Sequence, residues 1–257
     1  MQDIHYNMNA NREISGRTGA EQEVQDQLQN LHLELLPKFG TSWNGHSLLT
    51  LNRQTLGRII YYDMLYRRIV GVPGVICEFG VQWGATLALL ANFRGMYEPY
   101  NFRRTIHGFD TFEGFINVDV ERDGTHLKEG DYGVESGHEA KLEKLLSLHE
   151  ANAPIAHIRK FELVKGDASV TVPQWLDDNQ HAVIAMAIFD MDIYKPTKDV
   201  LEAIQPRLTK GSVLVFDELN CKPFPGETVA VQEVLGLNNL RLQHFPHQPN
   251  CAWAVVE

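Results

Sequence analysis

The sequence predicts an α/β fold: a mostly parallel seven-stranded sheet, an antiparallel C-terminal strand pair, and extra helices at the N-terminus. Three observations carry that expectation. From Val75 onward, short apolar runs alternate with helical segments, as expected for βαβ units with right-handed crossovers. Two of the runs end abruptly in carboxylates, Ala185–Phe189 at Asp190 and Asp192, and Ser212–Phe216 at Asp217 and Glu218. Buried parallel strands read as continuous apolar runs, and their carboxyl ends open onto the ligand side of such sheets. The last two runs are joined by a short Pro/His/Asn loop, which makes them antiparallel.

The elements follow in order. The polar N-terminal stretch shows no strand signal and one helical segment, Gln22–Leu36; Ile4 to Gly19 reads as a flexible arm or part of a lid. Thr50–Ile69 is a stronger helix, with Leu51, Leu56, Ile59, Ile60, Met64 and Leu65 at helical spacing and Tyr61, Tyr62 and Tyr66 widening the apolar face. Gly71 to Gly74 ends it. Strands are expected at Val75–Phe79, Thr105–Phe109, Phe161–Val164, Val183–Phe189, Ser212–Phe216, Leu240–Phe245 and Ala252–Val256. The intervening helices are Gly84–Met96, Glu139–Glu150 within a long insertion, a short one at Pro173–Leu176, Thr197–Leu208 and Thr228–Leu235. The expected division is an N-terminal region of residues 1–70, serving as lid or oligomer contact, and an α/β domain over 71–257.

Composition narrows the function classes. The 257 residues carry a formal charge of −10 with no Lys/Arg block, which argues against a nucleic-acid partner. Cys77, Cys221 and Cys251 are odd in number and lack metal-type spacing, which fits a reducing cytoplasm. No apolar stretch reaches the length of a membrane span, and Met1–His5 lacks the pattern of a signal peptide. A small-molecule ligand is the expected partner, with self-association through the Thr50–Ile69 helix and the arm.

Asp190, Asp192, Asp217 and Glu218 would repel one another without a cation or shared protons. Hard oxygen donors suit Mg²⁺, or another hard divalent ion, better than Zn²⁺. Each of the four also reads singly as a helix N-cap.

Glu78-Phe-Gly80-Val-Gln-Trp83-Gly84-Ala-Thr86 joins the first strand of the domain to its helix. Phe79 fills the first glycine position of a dinucleotide fingerprint, and no P-loop Lys follows. The Glu-x-Gly-x-x-x-Gly string resembles the nucleotide loop of Rossmann-like class I methyltransferases that use S-adenosylmethionine. Asp110 and Gly166-Asp167 end the next two strands, where that resemblance implies ribose and adenine contacts; each Asp also reads as a turn residue satisfying local N–H groups.

The longer strings His107-Gly-Phe-Asp110-Thr-Phe-Glu113-Gly114-Phe, Phe189-Asp-Met-Asp-Ile-Tyr-Lys-Pro-Thr197 and Phe216-Asp-Glu218 resemble the macrocin O-methyltransferase family, from Leu51 to about Leu235. That resemblance implies a metal-dependent methyl transfer from S-adenosylmethionine to a hydroxyl of a sugar or glycosylated natural product. It implies cofactor contacts at Glu78, Gly80, Gly84, Thr86, Asp110, Gly166, Asp167 and Asp190, a metal at Asp190, Asp217 and Glu218, and Asp192 as general base. Family members carry Asp-Asp where this chain has Asp217-Glu218, one methylene longer. The N-terminal arm and the segment after Phe115 match poorly. The alternatives are a non-sugar diol as acceptor, a Mg²⁺-dependent hydrolase, or a non-catalytic binding protein on the same fold. Trp83 reads as a ligand-stacking or a packed loop aromatic, and His138 as a pocket or helix-start residue.

Overall fold

The structure is a computed structural model that describes residues 7, 8 and 12–257. The N-terminal segment Met1–His5, and residues 4–6 and 9–11 of the stretch read as an arm, lie outside the described residues. Within that stretch Asn7–Met8 pairs antiparallel with Ile14–Ser15, where no strand was expected. Two-residue strands are too short to show an alternating pattern.

The chain divides into a unit ending at Ile59 and a second unit, Ile60–Glu257. In the first, helix α1 (Gly19–Leu35) starts three residues earlier than its apolar pattern suggests. The reason is a capping box: Thr18 Oγ1 accepts from Glu21 N at 3.3 Å, and Glu21 Oε2 accepts from Thr18 N at 2.9 Å. Short 3₁₀ turns and the single-turn helix Trp43–His46 follow. Helix α2 (Arg53–Ile69), expected from Thr50, begins only after Asn52, whose Oδ1 accepts from Thr55 N at 2.9 Å.

The second unit holds the sheet. Its strands are β1 (Val75–Phe79), β2 (Ile106–Asp110), β3 (Phe161–Lys165), β4 (Ile184–Phe189), β5 (Leu208–Phe216), β6 (Gln243–Phe245) and β7 (Gln248–Val255). They lie in the order β3-β2-β1-β4-β5-β7-β6. The first five are parallel, β7 runs antiparallel to β6 as expected, and it also pairs antiparallel with β5. All six residues of β4 are fully buried, which is why it reads as an uninterrupted apolar run.

Phe79, Phe109, Phe189 and Phe216 stand in register across four adjacent strands. Their ring centroids are 5.2, 5.2 and 5.4 Å apart, and all four rings are fully buried. They belong to one core with Val172, Trp175 and Leu176 of helix α5 (Ala168–Asp178), Val200 and Leu201 of α6 (Tyr194–Ile204) and Val231 of α7 (Pro225–Val234).

Helix boundaries differ from the periodicity wherever a cap or turn decides. Helix α5 starts at Ala168 rather than Pro173, because Asp167 Oδ1 accepts from Ser169 N at 2.9 Å. Helix α6 starts at Tyr194 and stops at Ile204; a 3₁₀ turn then feeds β5, which begins at Leu208 rather than Ser212. Helices α3 (Ala85–Tyr97) and α4 (His138–Ala151) lie close to expectation. Among the described residues no helix is long and apolar enough to cross a membrane, and all three cysteines are buried and unbridged.

A buried ion cluster joins these two helices to the residue before β3. Arg94 pairs with Glu150, its Nη1 donates to the Lys160 carbonyl at 2.7 Å, and Lys160 Nζ lies 2.6 Å from Glu150 Oε2. Glu150→Ala leaves two buried cations without their anion and is expected to destabilise the protein by about 3–5 kcal/mol in urea unfolding.

Candidate active site

The site forms at the carboxyl edge of the sheet, immediately beyond the phenylalanine row. Chain continuity places Gly80, Asp110, Asp190 and Asp217 there, one residue after Phe79, Phe109, Phe189 and Phe216. Gly80 has φ +89°, and a Cβ at that position would overlap the Asp190 carbonyl oxygen. The ends of β1 and β4 are in contact at this point, with Asp190 N donating to Phe79 O at 2.8 Å. A glycine is therefore required by strand packing as well as by the turn.

Asp110 holds the glycine loop. Its Oδ2 accepts from Val81 N at 2.6 Å and Gln82 N at 2.8 Å, while Oδ1 accepts from Phe112 N at 2.5 Å. A carboxylate serving three backbone donors in this way keeps one lone pair spare, at Oδ1. Gly84 also lies at positive φ, +83°, ahead of α3, and a Cβ there would overlap the methyl groups of Leu142 on α4. The backbone therefore passes close to a packed side chain at this point. Glu78 and Thr86 are buried on either side of the loop. Trp83 is 45 % exposed, with its ring edge-on to His138 at 4.8 Å, and His138 Nε2 lies 3.2 Å from the Trp83 carbonyl.

Asp167 lies at the end of β3, after Gly166 at φ +136°. Besides capping α5 it accepts from Asn117 Nδ2 at 3.0 Å, which ties the segment after Phe115 to the sheet edge. That segment is further anchored by Asp123, whose Oδ2 accepts from Asp119 N at 2.7 Å and whose Oδ1 accepts from Tyr194 N at 2.6 Å.

Asp190 and Asp192 follow β4, Asp217 and Glu218 follow β5, and the other three act electrostatically on Asp192. Asp192 sits in a tight turn at φ +63°, and Ile193 N donates to Met191 O at 2.6 Å. Burial pushes the Asp192 carboxyl well above the ordinary range, and Asp190, Glu218 and Asp217 push it further. Asp217 Oδ1 accepts from the Cys251 thiol at 3.0 Å. A fifth carboxylate joins them without a sequence signal. Glu227, in the first turn of α7, is fully buried; desolvation raises its pKa most, followed by Asp192, Asp217 and Glu218. An acid after Phe-Pro-Gly reads as a solvated helix-start residue favoured by the dipole, and no sequence signal turns it inward. Among the described residues, no three His, Cys, Asp or Glu side chains are already gathered as a set that could hold a metal ion. Asp190, Asp217 and Glu218 are neighbours in charge rather than a finished coordination sphere.

Comparison with known proteins agrees with this architecture. A family profile described as a methyltransferase domain matches residues 77–219, more than half of the chain. A crystal structure of CalS11, a calicheamicin methyltransferase, is 41% identical, with a TM-score of 0.87 over 93% of each chain. Its apo structure, described as a TDP-rhamnose 3'-O-methyltransferase of calicheamicin biosynthesis, is 38% identical with a TM-score of 0.80 over 93% of this chain and 95% of that one. Mycinamicin III 3''-O-methyltransferase of Micromonospora griseorubida is 29% identical over 165 residues, 62% of this chain and 60% of that enzyme, so the match spans less than two thirds of that relative. Demethyldecarbamoylnovobiocin O-methyltransferase of Streptomyces niveus is 26% identical over 200 residues, 72% of this chain and 67% of that enzyme. The chain belongs to this methyltransferase family, in the branch of class I S-adenosylmethionine-dependent O-methyltransferases that resembles macrocin O-methyltransferase.

Asp110→Ala removes the acceptor of three backbone N–H groups. It is expected to lower stability by about 1–3 kcal/mol and to speed proteolytic cleavage of the loop between Gly80 and Gly84, measured on the protein without ligand.

Proposed function

We propose that the protein transfers a methyl group from S-adenosylmethionine to a hydroxyl of a sugar, nucleotide-linked or on a glycosylated natural product, with a hard divalent cation, Mg²⁺ first among them. The observation that carries this reading is the carboxylate cluster around the buried Asp192, at the sheet edge of a fold shared over 93% of the chain with a calicheamicin methyltransferase. The sugar acceptor is supported by the relatives, one described as acting on TDP-rhamnose and another, from Streptomyces olivaceus, on a rhamnosyl tetracenomycin.

S-adenosylmethionine, when bound, supplies a methyl group on a sulfonium that needs no further activation. Glu78, Gly80, Gly84, Thr86, Asp110, Gly166, Asp167 and Asp190 would hold it, at the ends of the first strands of the domain. Asp110 has two tasks in this scheme: fastening the loop through Val81, Gln82 and Phe112, and offering Oδ1 to a ribose hydroxyl. Asp167, already fixed by Ser169 and Asn117, would face the adenine.

The donors present fit a hard cation in chemistry and charge, because buried carboxylates crowded together are stabilised by an opposite charge. Asp190, Asp217 and Glu218 would hold it. A bound cation supplies a lowered pKa at an acceptor hydroxyl. Asp192 is the proton acceptor: a buried side chain held by its tight turn beside those three carboxylates. Its role, and the positioning of acceptor against donor, account for most of the expected catalysis. Self-association belongs to the same reading, supported by Leu48 and Leu49 of the N-terminal unit, 65% and 71% exposed.

Calorimetry of S-adenosylmethionine binding, with Mg²⁺ and with EDTA, tests the cofactor; mass spectrometry of methyl transfer to TDP-rhamnose, free rhamnose and a catechol tests the acceptor class. No binding under either condition sinks the methyltransferase reading, and transfer to the catechol alone replaces the sugar. Asp192→Asn is expected to lower kcat by about 10²–10⁴-fold with S-adenosylmethionine affinity unchanged. Mg²⁺ at a hundred times its Kd is expected to raise stability by about 2.7 kcal/mol, read as a shift in Tm.

A further inference from the structure

Glu227 faces inward because of the residue before it. A Cβ on Gly226 would overlap Asp123 Oδ1 and crowd the Tyr194 backbone N, so only glycine lets the first turn of α7 press onto the start of α6. Asp123 closes the same junction through its bond to Tyr194 N. With α7 seated there, Glu227 has no solvent exposure, and its Oε1 accepts from Glu218 N at 3.0 Å. Its Oε2 is buried and, among the described residues, has no hydrogen-bond partner. The charged groups bearing on it are Asp192, Asp217 and Glu218, all negative. A buried carboxyl oxygen left unmatched among like charges is costly, and an acid in a helix's first turn ordinarily avoids that cost by facing water. A cation among these carboxylates gives Oε2 the partner it lacks.

We propose, on the cation-dependent reading above, that Glu227 is a fourth carboxylate of the cation site, with Oε2 turned to the ion while Oε1 holds the Asp217–Glu218 turn by its backbone. The two oxygens then have separate tasks. Oε1 orients the turn from which two other donors project, and Oε2 adds negative charge to the site. Added carboxylate charge strengthens binding of hard divalent ions.

The variant that separates these tasks is Glu227→Gln, which keeps the side-chain length and the oxygen that accepts from Glu218 N but removes the charge. Mn²⁺ serves as the probe, its binding to the full chain followed by electron paramagnetic resonance and calorimetry without acceptor. The expected result is Mn²⁺ affinity weakened about tenfold or more, S-adenosylmethionine affinity in EDTA unchanged, and a Tm in EDTA equal to or above that of the parent. Mn²⁺ affinity within about twofold of the parent, alongside clear weakening in Asp217→Asn, overturns the assignment of Glu227 and leaves the cation reading standing. Absence of Mn²⁺ binding by the parent overturns both. Should Glu227→Gln fail to fold, Glu227→Asp retracts the charge by one methylene; weakened Mn²⁺ binding supports the assignment, and parent-like binding removes it.

Discussion

The row of four phenylalanines across β2, β1, β4 and β5 is the constraint on which the rest of the site depends. Parallel pairing in register puts Phe109, Phe79, Phe189 and Phe216 side by side, each ring 5.2–5.4 Å from the next. A large ring fully buried at the end of each strand pins the register, because a slip of one residue would turn it to the opposite face. Once the rings are level, the residue after each is level too. That is how Gly80, Asp110, Asp190 and Asp217 arrive on one edge from parts of the chain more than a hundred residues apart.

Bringing strand ends so close leaves little room, and the loop chemistry answers to that crowding. Gly80 is bare because the Asp190 carbonyl occupies the space of a side chain. Asp110 then takes up the backbone N–H groups that the turn exposes, two from the glycine loop and one from its own strand's exit. Gly84 and Gly226 repeat the principle one layer out, against Leu142 and against the Asp123–Tyr194 junction. In each case absence of a side chain allows two elements to meet, and the contact fixes where the next functional group points.

The carboxylates at the edge oppose this compactness. Burial and the neighbouring like charges raise both Asp192 and Glu227, an effect that a cation or shared protons would offset. The junction of Asp123, Tyr194 and Gly226 holds the start of α7 against the start of α6, and the Phe-rich core lies among the same elements.

Much of this was legible in the chain. The mostly parallel sheet, the antiparallel ending, the edge carboxylates Asp190, Asp192, Asp217 and Glu218, and the glycine loop all follow from local pattern, because a buried parallel strand needs continuous apolar residues and its exit needs polar ones. The helices capped by Thr18, Asn52 and Asp167 start a few residues away from where the periodicity puts them, since a single cap hydrogen bond outweighs the weak periodicity at a helix end. Tertiary structure alone decided three things: that Asp110 clamps its own loop, that Gly84 meets Leu142, and that Glu227 is buried. Each depends on a contact between residues distant in sequence, Asp110 with Val81, Gly84 with Leu142, and Gly226 with Asp123. Local pattern reports which face of an element is apolar; only the folded chain decides which partner occupies it.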